Sequence, residues 1–236
     1  NGEYWGIHNI REKVNEHFVA SNHNVDADSI ELLENYGEPI AGSGQHYAEM
    51  IDFVSNNNLA ITSNYEYVKT LMDVDNFIKY ELSQIYFNNR DWPGNNIKFW
   101  RSTNNGSKWR WILFDTDFGF GIWNVQDYLY NTLEFALEPN GPGFPNPPWS
   151  TLLLRRLTAN TTFRNSFINQ FADHLNTTFQ PDAVIAHINS IADKIDSEIY
   201  YHYPHYGESY GDWSDAVENM KNFAQLRIPY VKDHIQ

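Results

Sequence analysis

Hydrophobic and polar positions change texture twice along the chain. Glu3-Tyr4-Trp5-Gly6-Ile7-His8-Asn9-Ile10 predicts a strand over residues 3–11, and Asn1-Gly2 before it is a strong hairpin-turn signal. The chain is therefore expected to begin inside a β-hairpin whose first strand lies upstream. A short helix is predicted over 13–21, and Ser29 to Glu34 alternates weakly, as a strand does. Gly42-Ser43-Gly44 then opens a loop. Tyr47, Met50, Ile51 and Val54 recur at helical spacing within His46–Ser55. A short helix is predicted over 64–73. Asp75 can cap a longer one through Tyr86, with Phe77, Ile78, Leu82 and Ile85 on one face.

Past Tyr86 the pattern breaks. Asn88 to Asn96 is polar, contains Pro93-Gly94 and must be a loop. Ile97 to Arg101 and Trp109 to Phe114 flank a polar turn and predict a β-hairpin. Residues 123–149 carry Pro139, Pro142, Pro145, Pro147 and Pro148 and are expected to be irregular. From Ser150 the pattern is helical, over 152–157, 162–175, 182–200 and 212–235. This divides one domain, 1–236, into a β-containing part (1–62), a loop-and-hairpin cassette (63–122), the irregular loop (123–149) and a helical part (150–236). The class is α+β.

Composition narrows the function. Lys plus Arg number 16 against 30 Asp plus Glu, a net charge of −14, which disfavours nucleic acid and anionic membrane as partners. The absence of cysteine removes disulfides, thiolate zinc sites and Cys nucleophiles. No run of about 18 apolar residues is present to span a membrane.

The candidate chemistry lies in two polar loops joined by the hairpin. The first is Asn89-Arg90-Asp91-Trp92-Pro93-Gly94-Asn95-Asn96, the second Asp115-Thr116-Asp117-Phe118-Gly119. Phosphoryl transfer needs one carboxylate to orient the nucleophile and another to hold a metal on the phosphates. Arg90-Asp91 followed by Asn96 has the spacing of a protein-kinase catalytic loop, and Asp117-Phe118-Gly119 has the letters of its metal loop. The hairpin is expected to bring Asp91, Asn96, Asp115 and Asp117 to one cleft. The bland alternative makes Asp91 a turn cap and Asp117 an ordinary loop residue. An apolar strand ending in Asp-x-Asp also marks metal-dependent glycosyltransferases and phosphatases with an aspartyl nucleophile. The phosphatase pattern wants Thr or Val where Gly119 stands. Calcium loops are disfavoured at Asp115-Thr116-Asp117, and Asp26-Ala27-Asp28 and Asp73-Val74-Asp75 read as turn and cap residues. His202-Tyr203-Pro204-His205 is a possible metal group or an aromatic patch. Trp5, Trp92, Trp100, Trp109 and Trp111 could pack the core or give adenine a platform.

These segments resemble the CotH kinases, a family named for a spore-coat protein and distantly related to protein kinases. The likeness covers Tyr4 to Lys13, Asp73 to Phe77, Asn89 to Asn96, Trp111 to Gly119, and the tail from Phe223 to His234 with Arg227 and Tyr230-Val231. It implies an atypical bilobal kinase fold with the N-terminal lobe partly missing and a helical C-terminal part. It implies transfer of the ATP γ-phosphoryl to Ser or Thr of a secreted or surface protein, with Mg²⁺ or Mn²⁺. Asp91 would orient the acceptor hydroxyl. Asn95 or Asn96, and Asp115 or Asp117, would hold metal. Glu12 and Trp111 would contact the nucleotide. The acidic surface suits a basic acceptor. Family members carry an upstream segment with Arg- and Lys-bearing strands on the phosphates, so the 236 residues alone are expected to bind ATP poorly. Lys13 is the nearest local cation. A non-catalytic binding module and a glycosyltransferase using Asp115-Thr116-Asp117 are the alternatives.

Overall fold

A computed structural model describes residues 2–235, and capping and periodicity account for most of its elements. Helix α1 (Glu16–His23) starts at Asn15, whose side chain accepts the Phe18 N–H. Strands β1 (Ile30–Glu34) and β2 (Glu38–Ala41) form a hairpin. Helices α2 (Gln45–Asn56), α3 (Thr62–Leu71) and α4 (Val74–Phe87) follow, then strands β3 (Lys98–Ser102) and β4 (Arg110–Ile112). Helices α5 (Thr132–Leu137), α6 (Leu152–Thr158), α7 (Thr161–Leu175), α8 (Pro181–Tyr206) and α9 (Tyr210–His234) complete the order. A reciprocal Ser209–Asp212 capping box opens α9.

The sheet is antiparallel with order β2-β1-β3-β4. Leu32 lies opposite Trp100, and Lys98 opposite Ile112. It joins strands from either side of residue 62, so the early hairpin and the later one form one surface. Successive β1 side chains face opposite ways. Ile30 and Leu32 pack with Trp100 and Val19 of α1, whereas Leu33 joins Phe99, Trp109 and Trp111 in the main core. Helix α4 runs through that core and buries Phe77, Ile78, Tyr80, Glu81, Leu82, Gln84, Ile85 and Tyr86. Around it lie Phe163, Phe167 and Phe171 of α7 and Ile228 and Val231 of α9.

The class is α+β, as the sequence pattern implies, but four local expectations change. The strand over 3–11 does not form: residues 2–14 have neither helix nor strand and lie against α8. There the Ile7 N–H donates to His202 Nδ1 at 3.0 Å, a non-local bond that replaces a sheet partner. Asn1 of the expected turn is outside the described residues. Strand β2 is additional; Pro39 hid it, and Pro is tolerated because β2 is an edge strand. The stretch 123–149 is partly ordered, with a 3-10 turn at Asp127–Leu129 and α5 inside it. Helix α8 continues past Tyr200 to Tyr206, Pro204 lying in its last turn.

Candidate functional site

The first polar loop grows directly from the C-terminus of α4. Asn88 ends the helix in a left-handed conformation, φ 52°. Its side chain is buried, donates to the Asp127 carbonyl and accepts from the Thr132 hydroxyl at 2.8 Å. The Asn89 side chain accepts the Asp91 N–H at 3.1 Å and donates to Gln84 Oε1 at 2.9 Å. Two consecutive asparagines thus fix the turn that places Asp91.

Asp91 is 8% exposed, and its Oδ2 accepts from Asn95 Nδ2 and Asn96 Nδ2, each at 2.7 Å. An ionised carboxylate only accepts, so both amides must turn their NH₂ groups to it. Their carbonyl oxygens, and Asp91 Oδ1, have no hydrogen-bond partner among the described residues. Neutral amide and carboxylate oxygens of this kind are the donors that Mg²⁺ and Mn²⁺ take. One oxygen of Asp91 is anchored while the other has no partner among the described residues.

The second loop starts where β4 ends. Asp115 adopts φ 51°, which turns the chain out of the strand direction. The Arg90 N–H donates to the Phe118 carbonyl at 3.0 Å, and the Phe120 N–H to the Phe87 carbonyl at 2.9 Å. The first bond joins the residues adjacent to Asp91 and Asp117. A Cβ on Gly119 would meet the Phe87 carbonyl at 2.9 Å, so this close approach favours glycine. Asp115 and Asp117 are both exposed and border a cavity of about 980 Å³ with Arg11, Phe87, Phe179, Ile188 and Trp213. Asp91, Asn95 and Asn96 are not among the residues that line it. The structure therefore forms two sets, Asp91-Asn95-Asn96 and Asp115-Asp117, stitched through the backbone rather than opening on one shared wall. The β3–β4 pairing ends at Lys98–Ile112, so Asn96 and Asp115 lie just beyond the paired ends of the two strands, each in a left-handed conformation. Lys98, which sequence reasoning did not single out, stands there with Nζ 5.0 Å from the Phe114 ring centroid.

The other expected contacts lie elsewhere. Trp111 is a core residue, 6% exposed, T-shaped to Phe77 at 4.7 Å and stacked on Phe99 at 5.6 Å. Asn76 brackets its backbone, accepting the Trp111 N–H at 2.6 Å. This corrects the expectation that Trp111 presents a face to a nucleotide. Glu12 and Lys13 are exposed in the 2–14 stretch. His202 Nδ1 is engaged by Ile7. Among the described residues, no group of three or more His, Asp or Glu side chains is arranged to hold a metal.

A family model described as CotH kinase protein matches residues 1–231, nearly the whole chain. The chain belongs to the CotH kinase family. No curated protein matches it. Membership supports a kinase-like enzyme at the level of the family. Among the described residues no helix is long and apolar enough to cross a membrane.

Two supports of the first loop in this CotH chain come from residues far away in sequence. Gly94 donates its N–H to the Pro145 carbonyl at 2.6 Å. A Cβ at Gly94 would lie 2.4 Å from Pro147 Cδ and 2.6 Å from that carbonyl. Gly94→Ala is expected to push the loop off the proline segment and to cost about 1–3 kcal/mol, the usual cost of overpacking. A urea midpoint equal to that of the wild type would show that the two segments separate freely. The second support is Arg227 of α9, which is fully buried. Its guanidinium donates to the carbonyls of Ile85, Tyr86, Tyr128 and Tyr130 and to the Thr132 hydroxyl. It holds the last turn of α4 against the 128–132 strap, one step from Asn88. The residue stood out only as part of the family-like tail, because its partners are 95 to 142 positions away.

Proposed function

We propose that this CotH chain transfers the γ-phosphoryl group of ATP to a Ser or Thr hydroxyl of a protein. The observation that carries this is the Asp91 carboxylate, fixed at one oxygen by Asn95 and Asn96 beside the loop of Asp117. Asp91 Oδ1 would take a hydrogen bond from the acceptor hydroxyl and align its oxygen. That oxygen bonds to the γ-phosphorus as the bond from phosphorus to the β–γ bridging oxygen breaks, and ADP leaves. The hydroxyl proton passes to Asp91 or onward to solvent. Divalent metal held by Asp115 or Asp117 at the cavity, or by Asn95 or Asn96 at the first loop, would neutralise phosphate charge. The cavity bordered by Asp115 and Asp117 is of a size that small-molecule sites have.

Arg11 lines the cavity with Asp115 and Asp117, whereas the other cations near these loops are committed. Arg90 lies 4.0 Å from the Tyr130 ring centroid, and Lys98 is 3.9 Å from Glu34. The proposal also includes an upstream segment, in cis or as a second chain, that adds Arg or Lys to Arg11 at the phosphates. A basic acceptor segment fits the net charge of −14. A secreted or surface location belongs to the same reading.

The test is label transfer from γ-radiolabelled ATP to a generic basic acceptor with Mg²⁺ or Mn²⁺ and the upstream segment supplied. Labelled phosphoserine or phosphothreonine is the expected product. ATP binding without transfer would make the chain a binding module. Transfer from a nucleotide sugar instead would assign Asp115-Thr116-Asp117 to glycosyl chemistry.

A further inference from the structure

Beneath the Asp91 loop, α4 turns polar groups inward. Glu81 is 5% exposed and Tyr80 4%. Glu81 Oε2, the Tyr80 hydroxyl and Gln84 Nε2 are buried without a well-aligned hydrogen bond among the described residues, the Tyr80 hydroxyl lying near the Gln84 and Trp92 side chains. Glu81 and Tyr80 line a cavity of about 40 Å³ whose roof is Trp92 and Pro93, the two residues after Asp91. Its other walls come from α2, β3, β4 and residues 149–153 and include Tyr47, Phe99, Trp111 and Leu153. One turn along α4, Gln84 Oε1 accepts from Asn89, so the same helix face also holds the start of the loop.

A carboxylate in this position would have no counter-charge. Besides Glu81, the titratable residues lining the cavity are Tyr47 of α2 and Tyr80 of α4, both pushed up by burial; none of the lining residues is a Lys, Arg or His. Burying a lone charge costs far more than burying a neutral acid, so the group keeps its proton instead. A neutral carboxyl has one donor and can meet a hydroxyl or a water, and a cavity of this size admits a water.

We propose that Glu81 is a neutral carboxylic acid which, with Tyr80, positions the Trp92-Pro93 corner and through it the loop that carries Asp91. Ionisation would place an unpaired charge under that corner, draw water in and loosen residues 88–96. Burial pushes the Glu81 carboxyl up to about 8, within reach of mildly alkaline solution. The sign follows from the raised value. Below the ordinary glutamate range both folded and unfolded states hold the proton. As pH climbs from there towards 8, only the folded state keeps it, so stability falls across that window. The positioning role rests on the phosphoryl-transfer reading of Asp91, but the readouts below do not use activity.

Carbon-13 NMR of glutamate-labelled chain should show one side-chain carboxyl titrating near 8, absent in Glu81→Gln. Relative to that variant, the unfolding constant of the wild type should rise at least about tenfold between roughly pH 5 and pH 8.5. Amide hydrogen exchange over residues 88–96 should match in the two proteins near pH 6 and be at least about tenfold faster in the wild type near pH 9. A carboxyl titrating in the ordinary range, or a variant equally destabilised at both pH values, would mean an ionised and partnered Glu81 and overturn the proposal. Equal exchange at high pH would overturn the positioning role even if the titration is found. If Glu81→Gln does not fold, the wild-type NMR titration and the rise in exchange across the loop decide alone.

Discussion

Asp91→Asn is expected to lower phosphoryl transfer by about 10²–10⁴-fold while the chain stays folded. The carbonyl of the new amide can occupy the place of Oδ2 and still accept from Asn95 and Asn96, so the loop keeps its bonds. What changes is the free side: a donor NH₂ replaces the acceptor Oδ1, and the negative charge is lost. An NH₂ group repels the hydroxyl proton that Asp91 would receive under the proposed phosphoryl transfer. Stability should drop by only about 1 kcal/mol, the difference between charged and neutral acceptors. Single-turnover label transfer and a urea titration on the same preparation separate the two effects. A rate within about threefold of wild type would remove Asp91 from the mechanism, since a positioned acid or base contributes far more than that.

Arg227→Met is expected to be the most damaging single change to the fold, at about 3–5 kcal/mol, a size reserved for the loss of buried polar networks. The methionine fills part of the volume but has no donors. Four backbone carbonyls from two segments lose the guanidinium together; Ile85 and Tyr130 keep the Asn88 and Thr132 N–H groups, whereas a buried acceptor left alone costs about 1–3 kcal/mol before relaxation. Arg227→Lys should rescue little, because one ammonium cannot span acceptors that a planar five-donor fork reaches. Burial pulls the Arg227 guanidinium down to about 10, so it remains charged at neutral pH and no titration there relieves the network. Equilibrium denaturation monitored by circular dichroism reads the effect. A loss below about 1 kcal/mol would show that water replaces the guanidinium easily.

What could be read from the sequence is what is local. Phe77, Ile78, Leu82 and Ile85 mark the buried face of α4 by their spacing, and Asp91 with Asn95 and Asn96 come together because five residues close their own loop. Glu81 shows the limit of such patterns. Its spacing from Phe77, Ile78 and Ile85 sets it on the apolar face, but an acid there has no partner legible in the sequence, and only packing from α2, the sheet and residues 149–153 shows that it is enclosed without one. The run from Glu3 to Ile10 has strand residues, but a strand needs a neighbour, and this stretch gives its Ile7 N–H to His202 on α8. Trp111 was ambiguous for the opposite reason: a tryptophan on a half-buried strand serves core or ligand equally well until Phe77 and Phe99 cover it. The sheet order was hidden because β1 pairs with β3 across three intervening helices.

The bonds of Arg227 also set a timetable. A chain made from its N-terminus exposes Asp91 long before Arg227 is added, with a delay on the order of ten seconds at ordinary rates of synthesis. Until then the Tyr86 carbonyl at the end of α4 lacks its Arg227 donor, and the 128–132 strap is held to α4 by Asn88 and Arg90 without it. A nascent or prematurely terminated product therefore has every residue of both polar loops but lacks the guanidinium that ties the end of α4 to the 128–132 strap.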